Sequence, residues 1–355
     1  MYKNEIYRVI SHLNSAEGLE LGIATRLMKL AELVQIADSN NDKSLGAWCR
    51  LLLIREEQLS PKLVYGFPAF AWLLQVREED PTVVEDAMFF HIYKWIVASA
   101  IGISSFSLNE LKDLFLQFKE ALLSRGYSLR SYYQVKTLFY LHLHDAAAVR
   151  QHLKTLRSLE VDEVSDNYLF ETSVEVYCCL LEGNVDEAIL VGRPLIEEEE
   201  TAFETLSVIA FETLKIDEVQ GIAYYTLANE HRKNVYYQEQ VIDLRGRLIA
   251  MYFSFITGDE SCWLAFKAFK NAEEGAADFY SLQVSQFLAS LLVFDERGSF
   301  EQSSGMFVSK EQQKEELIYY RDRTLDLAKK FDLRNLSSDY EERVRSFFKR
   351  TKVLP

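Results

Sequence analysis

Residues 179–196, CLLEGNVDEAILVGRPLI, read as the end of one helix, a short polar break around Gly183-Asn184, and the start of another. The same order occurs 40 residues earlier in FYLHLHDAAAVRQHLKTL (139–156), which sets Ala148 on Ala188. MYFSFITGDESCWLAFKAFKNA (251–272) is a third copy in a looser register. A small residue at the shared position lets two antiparallel helices approach closely, and stacked pairs bury a continuous core. Helix pairs recurring at periods of about 34 to 47 residues mark an α-solenoid.

Helical signals continue on both sides of this stretch. Ser107-Leu108-Asn109-Glu110 has the spacing of a capping box, in which the serine oxygen accepts a free amide and Glu110 reaches back. The apolar positions Leu111, Leu114, Phe115, Phe118, Leu122 and Leu123 then keep the spacing of one buried helix face, and Gly126 ends it. Ser60-Pro61 and Asp80-Pro81 each predict a helix start with proline at the first helical position. These signals predict about sixteen helices, at 2–13, 17–38, 42–59, 61–78, 82–103, 108–125, 128–143, 145–158, 164–182, 184–197, 200–214, 217–232, 235–256, 259–273, 275–294 and, after a break, 310–331 with 337–351. No segment shows sustained alternation with hairpin turns. The fold expectation is therefore all-α, an antiparallel helix-pair solenoid. It divides into an N-terminal helical region (1–105), helical repeats (106–294), a polar linker (295–309) and a C-terminal helical pair (310–355).

Leu181-Glu182-Gly183-Asn184-Val185-Asp186-Glu187-Ala188-Ile189 resembles the turn and second-helix start of a tetratricopeptide repeat, where Gly-Asp/Asn-x-x-x-Ala recurs. The unit departs from that pattern elsewhere: no Trp-x-x-Leu-Gly opens its first helix, and Pro194 stands inside the second rather than closing it. The resemblance implies a tetratricopeptide-like superhelix across about 105–290 and protein or peptide binding on its concave face. Residues 317–330 are a weaker repeat-like helix, and 1–105 match no family.

Composition narrows the classes further. The 355 residues are 48% hydrophobic, ample for a core, and carry only 14 Gly and 5 Pro, too few turn formers for an all-β chain. The net charge of −15 disfavours wrapping DNA or RNA and favours a basic partner. MYKNEIYRVI lacks the features of a signal peptide, and charges such as Lys94 in FFHIYKWIVA interrupt the apolar stretches, so no membrane partner is expected. Cys49, Cys178, Cys179 and Cys262 form no C-x-x-C unit, and adjacent Cys178 and Cys179 face different sides of a helix. Reduced thiols in a cytoplasmic protein are the expectation.

The strongest catalytic candidate is His142-Leu143-His144-Asp145. Helical HD-type phosphohydrolases hold a metal with a His-Asp pair and distant ligands, and His91 is available as one of them. The competing reading makes His144 a helix end and Asp145 the cap of the next helix. A HEPN-type ribonuclease needs an arginine five to seven residues before a histidine, and none of His12, His91, His142, His144, His152 and His231 has one. No nucleotide-binding loop, serine elbow or H-E-x-x-H is present, and the YCCLL run contains nothing to activate a thiol. No enzymatic activity, cofactor or metal is expected.

Charge and aromatic residues carry the binding expectations. Residues 160–218 hold 17 acidic side chains opposed by Arg193 and Lys215 alone, so this segment carries the whole net charge of −15. Glu163, Asp166, Glu171, Glu175, Glu182, Asp186, Glu187, Glu197, Glu198, Glu199 and Glu200 are the candidate docking surface for a basic partner. Tyrosines come in pairs, and Tyr133, Tyr177, Tyr225 and Tyr237 are candidates to line an aromatic groove. The leading expectation is a bacterial-type, non-enzymatic interaction protein, an immunity protein or specific chaperone that neutralises a basic toxin or effector. The alternatives are a peptide-sensing regulator resembling the Rap and AimR receptors, and a metal-dependent hydrolase using His144 and Asp145. A homodimer stays open.

Overall fold

A computed structural model describes residues 2–231, 244–293, 307 and 309–353, except the side chains of Glu199 and Glu200. Among the described residues the secondary structure is helical, with eighteen helices and no strand. The N-terminal six are α1 (Tyr2–Leu13), α2 (Ala16–Leu19), α3 (Ile23–Ser39), α4 (Lys43–Glu57), α5 (Gly66–Glu79) and α6 (Asp86–Ile101). The middle six are α7 (Leu108–Ser124), α8 (Arg130–His142), α9 (Ala146–Arg157), α10 (Tyr168–Leu181), α11 (Val185–Glu197) and α12 (Glu199–Thr213). The last six are α13 (Glu218–His231), α14 (Leu244–Ile256), α15 (Ser261–Glu273), α16 (Asp278–Leu291), α17 (Lys310–Asn335) and α18 (Asp339–Arg350). No helix among the described residues is long and apolar enough to cross a membrane. The linker expected at 295–309 lies outside the described residues apart from Phe307, which is buried against Trp263 and Phe266, and Ser309, which caps α17.

Local chemistry sets most boundaries. The capping box at Ser107 and Glu110 is formed in full. Two expected helix starts are not. Asp80 instead accepts from the Thr82 amide at 2.9 Å and hydroxyl at 2.7 Å, making a turn, and α6 begins at Asp86. Ser60-Pro61 likewise precedes an irregular stretch, and α5 begins at Gly66. There the fully buried Glu57 carboxylate accepts from the amides of Val64 and Tyr65, both at 2.7 Å, and of Gly66 at 2.5 Å. A carboxylate from the preceding helix thus satisfies amides that proline leaves elsewhere unaddressed. Gly66 has to be glycine, because a Cβ would stand 2.6 Å from that carboxylate.

One turn recurs between helices. After α10, the Asn184 amide donates to the Cys179 carbonyl at 2.9 Å, Gly183 takes φ +76°, and the Asn184 side chain caps α11. After α8, Asp145 donates to Tyr140 at 3.0 Å, His144 takes φ 57°, and Asp145 caps α9. After α3, Asp42 donates to Ala37, Asn41 takes φ 52°, and Asp42 caps α4. Each is a left-handed helix stop merged with the next N-cap. The turns set Asp145 on Asn184, so the repeat offset is 39 residues rather than 40. The partner of buried Ala188 is therefore buried Val149, not Ala148. The third occurrence lies inside residues 1–105, which carried no family resemblance.

Helices pack on their sequence neighbours, and the even-numbered ones from α4 to α18 also pack successively on one another. The apolar core falls into three main clusters: α1, α3 and α4; α4 to α8; and α10 to α18. The middle cluster runs across position 105, joining Phe90 and Val97 to Leu111 and Phe115. Cys178 and Cys179 face different sides of α10, one toward a small cluster with Val149 and Leu153, the other toward the large C-terminal core.

The chain also returns to its own first third. The Ala277 amide donates to the Pro61 carbonyl at 2.9 Å and the Phe279 amide to that of Gly102 at 3.0 Å. The Asp278 carboxylate accepts from the Ser104 amide and hydroxyl at 2.8 and 2.6 Å. Arg334 donates to the carbonyls of Ile101 and Ile103, and the Tyr340 hydroxyl donates to that of His142 at 2.8 Å. The bonds from Phe279, Arg334 and Tyr340 fill acceptors at the C-terminal ends of α6 and α8, and Asp278 takes the Ser104 donors just beyond α6.

Candidate binding groove

The return of α16 to α18 onto α6 and α8 encloses a groove of about 780 Å³. Among the described residues each even-numbered helix from α6 to α18 lines it, together with the stretch after α4 from Gln58 to Leu63, and no odd-numbered helix does. Trp95, Leu141, Tyr177, Phe211, Phe279 and Phe287 supply aromatic and apolar surface, with Gln283 and Gln286 as amides on α16. A second hollow of about 600 Å³ shares Gln58, Trp95, Ala98 and Leu138 with it and continues toward His91 and Phe170.

Charge in the groove is opposite in sign to that of the chain. Lys215, Arg245, Arg343 and Arg350 line it against Glu204 and Glu212. Glu212 pairs with Lys215 and lies 3.8 Å from Arg245. Arg343 and Arg350 are exposed seven residues apart on α18, on the same side as Tyr340 and Phe347, and neither pairs with a carboxylate among the described residues. Burial lowers the Lys215 ammonium below its ordinary value; Glu212 opposes this, while Arg350 and Arg245 add to it. Burial likewise pushes His144 down to about 3, helped by Arg343 and Arg245. His142 is driven well below its usual range by burial, then by Arg334 and His144. Both imidazoles are neutral at pH 7, and His142 Nε2 and His144 Nδ1 are buried without a hydrogen-bond partner.

The His-Asp candidate does not converge on a site. Asp145 is exposed and accepts from the Ala148 amide at 3.0 Å as the cap of α9, whereas His144 packs on the Tyr340 ring at 4.9 Å. His91 Nε2 lies 2.9 Å from the Glu163 carbonyl oxygen. Among the described residues no three His, Cys, Asp or Glu side chains group to hold a metal ion. Burial also raises the thiols of Cys49 and Cys178 to about 11, away from nucleophilic use.

The acidic segment is largely committed inside the molecule. Asp166 pairs with Lys94 at 2.6 Å, Glu175 with Arg157 at 2.7 Å, and Glu182 with Arg150 at 2.5 Å. Glu187 lies 3.4 Å from Arg150 and accepts from the Asn184 amide group, and Glu163 accepts from the Tyr127 hydroxyl at 2.8 Å. Glu171 is not a surface residue: it is 4% exposed and forms a buried pair with Arg130. Asp186, Glu197 and Glu198 are exposed with no ion pair among the described residues, and the side chains of Glu199 and Glu200 lie outside them. The aromatic candidates divide similarly. Tyr177 lines the groove, donates to Glu204 at 3.1 Å and has Arg245 above its ring. Tyr225 is buried, stacked on Phe253 with ring centroids 4.3 Å apart, and belongs to the core. Tyr133 packs on Tyr132 and His152 away from the groove, and Tyr237 lies outside the described residues.

Comparison of the chain with protein-family models, with curated proteins and with solved structures returned no match.

Proposed function

We propose that the chain is a superhelix of helix pairs, its even-numbered helices forming an inner wall, and that it works without catalysis as a receptor for an extended peptide segment. The observation that carries this reading is the lining of the groove, among the described residues, by seven successive even-numbered helices and by no odd-numbered one. Stacked helix pairs present such a continuous inner surface, and an extended chain is the ligand shape that uses its length. Aromatic side chains supply apolar contact, and Gln283 and Gln286 supply donors and acceptors for a main chain. A regulator in the manner of the peptide-sensing Rap and AimR receptors fits this arrangement, and a reducing cytoplasm suits its four buried, unbridged thiols.

The reading as an immunity protein or chaperone for a basic toxin draws support from Asp186, Glu197 and Glu198, which are exposed carboxylates of the candidate surface with no ion pair among the described residues. It has less support than the peptide reading because Asp166, Glu171, Glu175 and Glu182 are engaged by Lys94, Arg130, Arg157 and Arg150.

Incubating the purified chain with a random peptide library and identifying the retained peptides by mass spectrometry tests the proposal. Ser346→Trp, at an exposed groove position on α18, obstructs the groove without entering the core. Retained peptides that raise the melting temperature of the native chain and are lost from Ser346→Trp are the expected result. Failure to retain any peptide, or equal retention by the variant, overturns it.

A further inference from the structure

The groove assigns its occupant a chemistry. We infer that it selects a short acidic peptide, whose carboxylates are held by Arg343 and Arg350 on α18 together with Arg245 and Lys215 on the facing wall. The inference rests on the peptide-receptor reading and adds the sign and position of the ligand's charge.

Three observations converge on it. First, these cations come from three separate parts of the inner wall, the end of α12, α14 and α18, and line one cavity. Like charges gathered in a partly enclosed space repel one another, a cost that an anionic guest relieves. Second, Arg343 and Arg350 meet no carboxylate among the described residues and line a shared cavity, whereas carboxylates of the acidic segment are taken by Lys94, Arg130, Arg150 and Arg157. Guanidinium groups have the fork geometry that takes a carboxylate through two parallel hydrogen bonds. Third, His142, 8% exposed and lining the same cavity, leaves Nε2 buried without a partner there. Buried polar groups are ordinarily hydrogen-bonded, so this nitrogen is a polar contact left open beside the groove.

The surroundings decide which anion fits. The chain has no glycine-rich loop of the kind that cradles a nucleotide's phosphates in backbone amides. A long polyanion leaving the groove meets an exterior that contributes to a net charge of −15. A short chain with carboxylates at some positions and apolar side chains at others matches the four cations and the aromatic wall of Tyr177, Phe211 and Phe287.

Fluorescence anisotropy with three labelled peptides of equal length tests the inference: one alternating Glu with Leu, one alternating Lys with Leu, and one alternating Ser with Leu. The Glu peptide is expected to bind, the Lys peptide not to bind, and the Ser peptide to bind at least about tenfold more weakly than the Glu peptide, with the difference shrinking at high salt. Arg343→Gln and Arg350→Gln change exposed positions, so their thermal melts should match the parent while each weakens the Glu peptide about tenfold or more. Equal binding of the Glu and Ser peptides, or indifference to both arginine variants, overturns the acidic selectivity and leaves the peptide groove standing. Binding of ATP or inorganic phosphate in preference to the Glu peptide also overturns the inference. If all three peptides fail while the random library also yields none, the receptor reading falls with it.

Discussion

Replacing Glu171 by alanine separates the two roles that this carboxylate has in sequence and in structure. In the folded chain Arg130 donates Nε to Glu171 at 3.0 Å and Nη2 to the same oxygen, and gives Nη1 to the carbonyls of Leu156 and Leu159 at 3.1 and 2.7 Å. Both side chains are at least nine-tenths buried. Removing one partner of a buried pair strands the other charge, at a cost of about 3–5 kcal/mol. Arg130 keeps its two carbonyls, which places the expectation near the lower end, about 3 kcal/mol. With an unfolding entropy of about 2.1 cal/mol/K per residue over 355 residues, that corresponds to a fall of about 4 °C in melting temperature. Urea titration followed by tryptophan fluorescence gives an independent value. The double variant Arg130→Met/Glu171→Leu removes both charges and is expected to recover most of the loss, since apolar replacements of buried pairs are commonly neutral or stabilising. Glu198→Ala, at an exposed site, should stay within about 0.5 kcal/mol of the parent. A Glu171→Ala change as small as that of Glu198→Ala, or a double variant no better than the single one, would refute the buried-pair account.

Three further outcomes follow from particular contacts. His142 and His144 stay neutral in the folded chain, His144 down to about pH 3, whereas the unfolded chain protonates them below about 6.5. The unfolded state then binds more protons, so stability is expected to fall by about 1.4 kcal/mol per pH unit per histidine as pH drops from 6.5 toward 5; His144→Gln should make denaturation midpoints less steep with pH in that window, and an unchanged slope would count against it. Glu57→Ala removes the acceptor of three amides at the start of α5 and is expected to cost about 2–3 kcal/mol by thermal melt, with no effect counting against the cap. Arg334→Met withdraws the donor from the Ile101 and Ile103 carbonyls, so hydrogen exchange should quicken at the Ser104 and Phe279 amides; protection equal to that of the parent would mean that Arg334 does not hold the closure.

What the sequence disclosed depends on how far each signal reaches. The Ser107 box and the Asp145 cap are complete within four residues, and both form as written. Ser60-Pro61 and Asp80-Pro81 have the right composition, but their outcome depends on partners that composition does not reveal. The amides ahead of α5 are taken by Glu57, up to nine positions earlier in the chain. Charge behaves in the same way. Counting acids located the net charge, yet the cations that engage Asp166, Glu171, Glu175 and Glu182 sit 14 to 72 positions away, on other helices. The groove arginines were missed because they look like ordinary surface residues of an amphipathic helix. The available signal was their spacing with Tyr340 and Phe347, which puts Arg343 and Arg350 on the side of α18 that carries aromatic groups.

The hydrogen bonds that bring residues 277–340 back to residues 61–142 also order events in the making of the protein. A helical array without such closure can fold from its beginning as it is synthesised, each pair settling on the one before. Here the carbonyls of Ile101, Gly102 and His142 at the ends of α6 and α8 take donors from Arg334, Phe279 and Tyr340, which are translated 177 to 233 residues later. A nascent chain that has reached α12 has four of the seven helices that line its groove and lacks α14, α16 and α18. It offers aromatic surface that a chaperone can hold, but it does not yet have the Arg343 and Arg350 side of the cavity. On the proposed receptor reading, capture of a peptide waits for the emergence of α18, which carries Arg343 and Arg350.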